Sequence, residues 1–142
     1  MKDRVEEKIQ ELIDLETRAW DQKDAEALVS LFHPDMVWPW PKDANAHHPL
    51  EWVFPLGRFD RYRWKDNWQR LFDTNELVHN NRKTLKITVS DQLDGAFAVV
   101  EIDTLWRDAD NNESHWKGIV GKGYTKTNKG WKLIMHTGVL EY

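Results

Sequence analysis

Apolar residues in the first segment recur at three- and four-residue spacing: Val5, Ile9, Leu12, Ile13 and Trp20. That spacing is one face of an α-helix, predicted over Asp3–Gln22. Glu16 is the one polar residue on the stripe. Asp24 is placed to cap a second, shorter helix with Ala25, Leu28, Val29, Leu31 and Phe32 as its apolar positions, stopped by Pro34. From Asp35 to Trp40 the pattern changes to alternation. Met36, Trp38 and Trp40 share a face, and Pro39 suggests an edge strand. Residues 42–60 carry Pro49, Pro55 and Gly57 and show no period. Loops this long in compact domains are often lids or binding segments. A third helix is predicted from about Arg61 to Asp73, with Trp64, Trp68, Leu71 and Phe72 on its apolar face.

Four alternating segments come next: Leu77–Val89, Ala96–Arg107, Ser114–Thr127 and Trp131–Tyr142. They are separated by Asp94-Gly95, by residues 108–112 and by Asn128-Lys129-Gly130, all turn chemistry. The prediction is a meander of hairpins. With no repeat and no change of composition, residues 1–142 read as one α+β domain: helices first, then a curved antiparallel sheet.

Composition sharpens this only in places. The chain has no cysteine, which removes disulfides, thiolate nucleophiles and Cys-based zinc sites. The formal net charge of −4 argues against a nucleic-acid partner. Aromatics sit among basic residues between Arg58 and Arg70, but the tryptophans there repeat every four residues, as core positions do. No segment is apolar enough to span a membrane or to serve as a secretory signal, so a cytoplasmic location is expected. His47-His48, with Asp43 nearby, make a poor chelate because adjacent side chains diverge. No HExxH spacing, Gly-rich phosphate loop or G-x-S-x-G elbow occurs. No metal or cofactor is expected. The nine tryptophans are unusual for this length, since flat side chains line ligand cavities as well as fill cores.

The stretch from Ala19 to Trp38 (AWDQKDAEALVSLFHPDMVW) and the closing Gly130–Gly138 (GWKLIMHTG) resemble the helix-turn-helix-strand and last-strand segments of the nuclear transport factor 2-like superfamily. The order of elements agrees over nearly the whole chain. The resemblance implies a cone-shaped sheet around three helices, a cavity at the open end, and pairing as a homodimer through the sheet. Relatives include ketosteroid isomerases, SnoaL-like cyclases, dehydratases and binding modules without chemistry, so the fold alone does not name a reaction. Where the isomerases carry a catalytic Asp before a Pro, this chain has Trp40 before Pro41. Where they carry an oxyanion-hole Tyr on the first helix, it has Glu16. Both departures argue against steroid-type isomerisation.

Strand parity maps the interior. Leu85, Ile87 and Val89 are expected inside, and Leu77, His79, Asn81 and Lys83 share their parity. In a cone, this face runs from core to cavity mouth. His79 is therefore the first candidate acid or base, the alternative being a hydrogen-bonded or exposed histidine at a strand start. Ala98, Val100, Ile102, Thr104 and Trp106 form a core face. Parity points Asp103 outward, unless a bulge turns it into a raised-pKa acid. Trp116, Val120 and Tyr124 lie opposite His115, Lys117 and Ile119. On the last strand Trp131, Leu133, Met135, Thr137 and Val139 are expected inside. His136 falls on the other face, and a one-residue shift of register would swap it. His79, His136 and Asp103 are the catalytic candidates. Trp38, Trp40, Trp64, Trp68, Trp106 and Trp116 are expected around the cavity, with Asn81 and Met135 as further ligand contacts.

The functional expectation is a cavity for a flat, apolar or ring-shaped small molecule. The chemistry would be proton transfer of the isomerase, cyclase, dehydratase or hydrolase type. The alternative is a homodimeric binding or assembly module without catalysis.

Overall fold

The computed structural model describes residues 1–43 and 48–141, apart from the side chain of Pro49. Helix α1 spans Lys2–Asp21 and buries Ile9, Leu12, Ile13, Glu16, Ala19 and Trp20. The chain reverses through Lys23 at φ 54°. The Lys23 ammonium donates to the carbonyls of Phe72 and Asn75, tying this corner to the end of the third helix. Asp24 caps α2 (Ala25–Val29) by accepting from the Ala27 amide at 3.0 Å. This helix is shorter than its apolar pattern suggests, because Phe32 already begins strand β1 (Phe32–Val37). Pro34 therefore lies inside a strand rather than ending a helix. That is tolerated because β1 is at the edge of the sheet.

A short ribbon pairs β2 (Trp40–Pro41), just before the long segment, with β3 (Trp52–Val53) inside it, and a 3₁₀ turn lies at Pro49–Glu51. Helix α3 (Arg61–Thr74) starts at Asp60, whose carboxylate accepts from the Arg63 amide at 2.9 Å. It buries Trp64, Trp68 and Phe72.

The meander is built of β4 (Asn75–Val89), β5 (Gly95–Asp108), β6 (Glu113–Thr127) and β7 (Gly130–Leu140). The sheet order is β1-β7-β6-β5-β4. The sheet is mixed rather than wholly antiparallel, because β1 runs parallel to β7. The helices cover its inner face. Among the described residues no helix is long and apolar enough to cross a membrane.

Three irregularities decide which residues face inward. On β4, Leu77 opposes Trp106 and His79 opposes Leu105, leaving Val78 as an extra residue. Leu85 is extra in the same way, between Thr84 and Lys86. On β7, Leu133 opposes Tyr124 and Met135 opposes Gly123, so Ile134 is extra. Each bulge reverses the facing of the residues beyond it.

Candidate functional site: an aromatic cavity over a buried ion network

The helices, the β2 segment and the inner face of the sheet enclose a cavity of about 360 Å³. Small-molecule sites run from about 300 to 1,000 Å³. Trp20, Trp38, Trp40, Trp68, Trp106 and Trp116 line the cavity, and Pro55 and Leu56 contribute from the long segment. The polar residues in the lining are Asn67, Arg82, Thr104, Ser114 and His136.

A charged network lies beside this wall. The Lys122 ammonium donates to both oxygens of Glu16 at 2.8 and 2.9 Å. Both side chains are 1% exposed. The Trp20 indole donates to Glu16 Oε2 at 3.1 Å, and Arg82 Nη1 lies 3.5 Å from the same oxygen. Arg82 Nε donates to the side-chain oxygen of Asn80, which also accepts from Thr104. Burial drives the Glu16 carboxyl up. The charges of Lys122 and Arg82, with hydrogen bonds from Lys122 and Trp20, outweigh that and hold it below the usual range. Burial pulls Lys122 down to about 8, against the opposing pull of Glu16. At neutral pH the network is therefore Glu16 carboxylate, Lys122 ammonium and Arg82 guanidinium. The Tyr124 hydroxyl is buried without a hydrogen-bond partner, and burial raises its pKa well above the ordinary value.

His136 is 3% exposed. Its ring stacks on Trp38 at 3.8 Å between centroids and 20° between planes, with Trp40 5.3 Å away. Its Nδ1 is buried and unpartnered. Burial, then the charges of Lys122 and Arg82, push its pKa well below 6.5. The ring is a neutral imidazole at neutral pH, with one nitrogen to donate a proton and one to accept. The cavity lining thus brings together a neutral imidazole and a guanidinium among aromatic rings, groups able to exchange a proton with an oxygen-bearing ligand and to face its charge.

Over residues 4–135 the sequence matches the SnoaL-like domain. The chain belongs to that family. Comparison with curated proteins finds no match. Among solved structures the fold is similar to a ketosteroid isomerase-like protein from Erwinia carotovora atroseptica SCRI1043, at TM-score 0.68 and 14% identity over 94% of each chain. It is also similar to an NTF2-like protein of unknown function in nutrient uptake from Rhodospirillum rubrum, at TM-score 0.69 and 13% identity, covering 94% of this chain and 98% of that one. A conserved protein from Planctomyces limnophilus superposes at TM-score 0.70 and 13% identity, covering 94% and 93%. At such identities the likeness concerns the fold. The nuclear transport factor 2-like resemblance read from the sequence is thus shown.

In this SnoaL-like chain the candidate residues fall into two groups, and several facings expected from strand parity need correction. Trp38, Trp40, Trp68, Trp106 and Trp116 line the cavity, as does His136, which parity puts outside. The Ile134 bulge turns His136 inward, opposite Lys122, and turns Met135 to the outer face, opposite Gly123. Trp64 is fully buried and does not line the cavity. Its indole donates to the Leu56 and Arg58 carbonyls at 3.0 and 3.2 Å, fastening the long segment to α3. The Val78 bulge turns His79 and Asn81 outward, and Asn80 and Arg82 inward in their place. Asp103 faces out as parity says, but its carboxyl is not raised. Hydrogen bonds from His115 and then His79 lower it. The His47-His48 pair lies partly outside the described residues. The described member, His48, accepts from the Leu50 amide through Nδ1 at 3.2 Å.

Arg82 and Lys122, which meet at Glu16 in the buried network, are not among the candidates read from the sequence. Lys122 was legible, since it shares parity with Trp116, Val120 and Tyr124, and Glu16 on the α1 stripe was the matching sign. Arg82 was not, because its facing depends on the Val78 bulge.

Proposed function

We propose that the cavity binds a small molecule with a flat or ring-shaped apolar body and at least one oxygen, and that His136 exchanges a proton with it. The observation that supports this most is the neutral His136 ring, stacked on Trp38 and in the same cavity lining as Arg82. The tryptophans would hold the apolar body by stacking. Arg82 would face the oxygen on which negative charge develops when a neighbouring C–H or O–H proton passes to the imidazole. The imidazolium would then return that proton to another atom of the ligand. This describes isomerisation, cyclisation or dehydration, and hydrolysis if water enters.

The test is a thermal-shift screen of aromatic and polyketide-like compounds, followed by turnover assays on the hits. A ligand at about a hundred times its dissociation constant stabilises by roughly 2.7 kcal/mol. Trp40→Ala should abolish the shift. His136→Phe should keep binding and lose turnover. Turnover untouched by His136→Phe would sink the catalytic assignment, and binding without turnover would leave a non-catalytic module.

A second copy of the chain is the protein partner proposed for the outer face of the sheet. Leu85, Phe97, Ile119 and Val139 stand exposed there, Val139 at 72%. A purely monomeric protein in sedimentation at micromolar concentration would exclude it. A cytoplasmic setting is part of the same proposal.

A further inference from the structure

The outer face carries a second cluster that the cavity does not use. His79 on β4, Asp103 on β5 and His115 on β6 come from three neighbouring strands. His79 and His115 both oppose Leu105 in the register, one on either side of it. Both rings lean from there toward Asp103, two residues back along β5. His79 Nε2 is 2.8 Å and His115 Nε2 2.6 Å from the same oxygen, Asp103 Oδ1. The rings stand nearly perpendicular, at 87° with centroids 5.9 Å apart. The three ligand atoms lie within 4.8 Å of one another.

We propose that His79, Asp103 and His115 form a binding site for one first-row divalent cation of the zinc class on the outer face of the sheet. The donor set is two imidazole nitrogens and a carboxylate oxygen. Imidazole suits zinc, copper, nickel and iron, whereas magnesium and calcium select oxygen ligands. Bonds of about 2.0–2.1 Å set tetrahedral ligand–ligand edges of roughly 3.3 Å. The two nitrogen–oxygen contacts, at 2.8 and 2.6 Å, need to open by roughly 0.5 and 0.7 Å to reach that spacing, and the two nitrogens, within 4.8 Å of each other, to close to it. Small rotations of side chains at a half-exposed surface supply this without moving the strands. The metal would take the place of the protons now shared between the imidazoles and the carboxylate. Three protein ligands at a solvent-facing position leave at least one coordination place for water. Lys117, opposite Asp103 in the register, is the nearest cation by position, and its ammonium is turned to Glu141 at 3.8 Å.

The sequence shows no metal-ligand spacing because the ligands are 24 and 12 residues apart along the chain. Only the hairpin register and the Val78 bulge bring them together. This site is on the opposite face from the cavity and does not depend on the function proposed for it.

The test is calorimetric titration of the chelator-treated full chain with zinc chloride, repeated with cobalt chloride and followed by visible absorption. The expected result is one ion per chain, with Tm rising on zinc addition. His79→Ala, His115→Ala and Asp103→Asn should each weaken binding about tenfold or more. A His47→Ala/His48→Ala variant should bind as the unchanged protein does. Zinc should also shift the imidazole nitrogen resonances of both His79 and His115 in the unchanged protein, a readout that needs no variant. No binding, binding that depends on His47 and His48, or binding unaltered in His115→Ala and Asp103→Asn would each overturn the proposal.

Discussion

Replacing Glu16 with glutamine retains its shape and removes the buried carboxylate that faces Lys122 and Arg82. Breaking a buried ion pair from one side costs about 3–5 kcal/mol in general. Here the lysine limits the loss. With its pKa already at about 8, shedding its proton at pH 7 costs only about 1.4 kcal/mol. In Glu16→Gln the Lys122 value falls further, and the side chain goes neutral. Arg82 has no such escape. The sign of the pH dependence comes from proton counts. Between the variant's value and 8, the folded wild type holds a proton that the folded variant does not. The wild type's advantage therefore grows as pH falls below 8 and levels off above about 9. From pH 9.5 to pH 6.5 the destabilisation should increase by about 2 kcal/mol, that is 1.5 units at 1.36 kcal/mol each. Urea unfolding followed by tryptophan fluorescence at the two pH values measures this directly. A total stability of roughly 5–15 kcal/mol is typical of a domain, so the variant should still fold. The double variant Glu16→Gln/Lys122→Met should lose less than the sum of its singles, by about 1 kcal/mol or more. An equal loss at both pH values, or additive singles, would refute the charged pair.

The His136 ring, held neutral mainly by burial, gives a second pH signature. Below 6.5 the unfolded chain gains a proton that the folded one refuses, so wild-type stability falls by up to about 1.4 kcal/mol per pH unit. His136→Phe, which keeps the stack on Trp38, should flatten that slope between pH 6.5 and 5, and parallel slopes would exclude His136 as its source. Trp64→Ala should cost about 3–5 kcal/mol in denaturant unfolding, as for a fully buried aromatic. Trp116→Ala, at the half-buried cavity wall, should cost less and should instead diminish the ligand-induced rise in Tm. Equal costs would contradict this division of core from cavity. At Gly118, φ is +154° and an added Cβ would lie 2.3 Å from the Val139 carbonyl oxygen. Gly118→Ala should lose at least roughly 1–3 kcal/mol from backbone strain, and a variant as stable as wild type would show that β6 and β7 are less tightly joined there.

Elements whose signal is local were legible in the sequence. The α1 stripe, the Asp24 cap of α2 and the turns between strands all express chemistry within a few residues. The inward face of β5 was legible too, because Ala98 to Trp106 alternate without interruption. The long-range features were hidden. The parallel pairing of β1 with β7 joins segments about a hundred residues apart. Trp64 reads as cavity wall because its position on the helix face says that it is covered, not by what. The long segment covers it, through the Leu56 and Arg58 carbonyls.

The β-bulges matter more than the other hidden features, because a bulge carries no reliable residue signature and reverses every side chain beyond it. The two on β4 cancel. Leu77 before the first, and Ile87 and Val89 after the second, keep the facing that alternation assigns them. Only the residues between are reversed, so Asn80 and Arg82 turn into the domain while His79 and Asn81 turn out. Extra residues in paired strands are a known way to re-aim side chains next to functional sites, and here one such residue acts on both faces. Val78 puts the guanidinium of Arg82 into the aromatic cavity, and it puts the imidazole of His79 against Asp103. On β7, Ile134 does the same for His136, which would otherwise stand outside with Met135 in its place. Two of the polar residues in the cavity lining, Arg82 and His136, thus come from stretches where simple alternation fails. A strand written in strict period two would have left the aromatic cavity without His136 and Arg82.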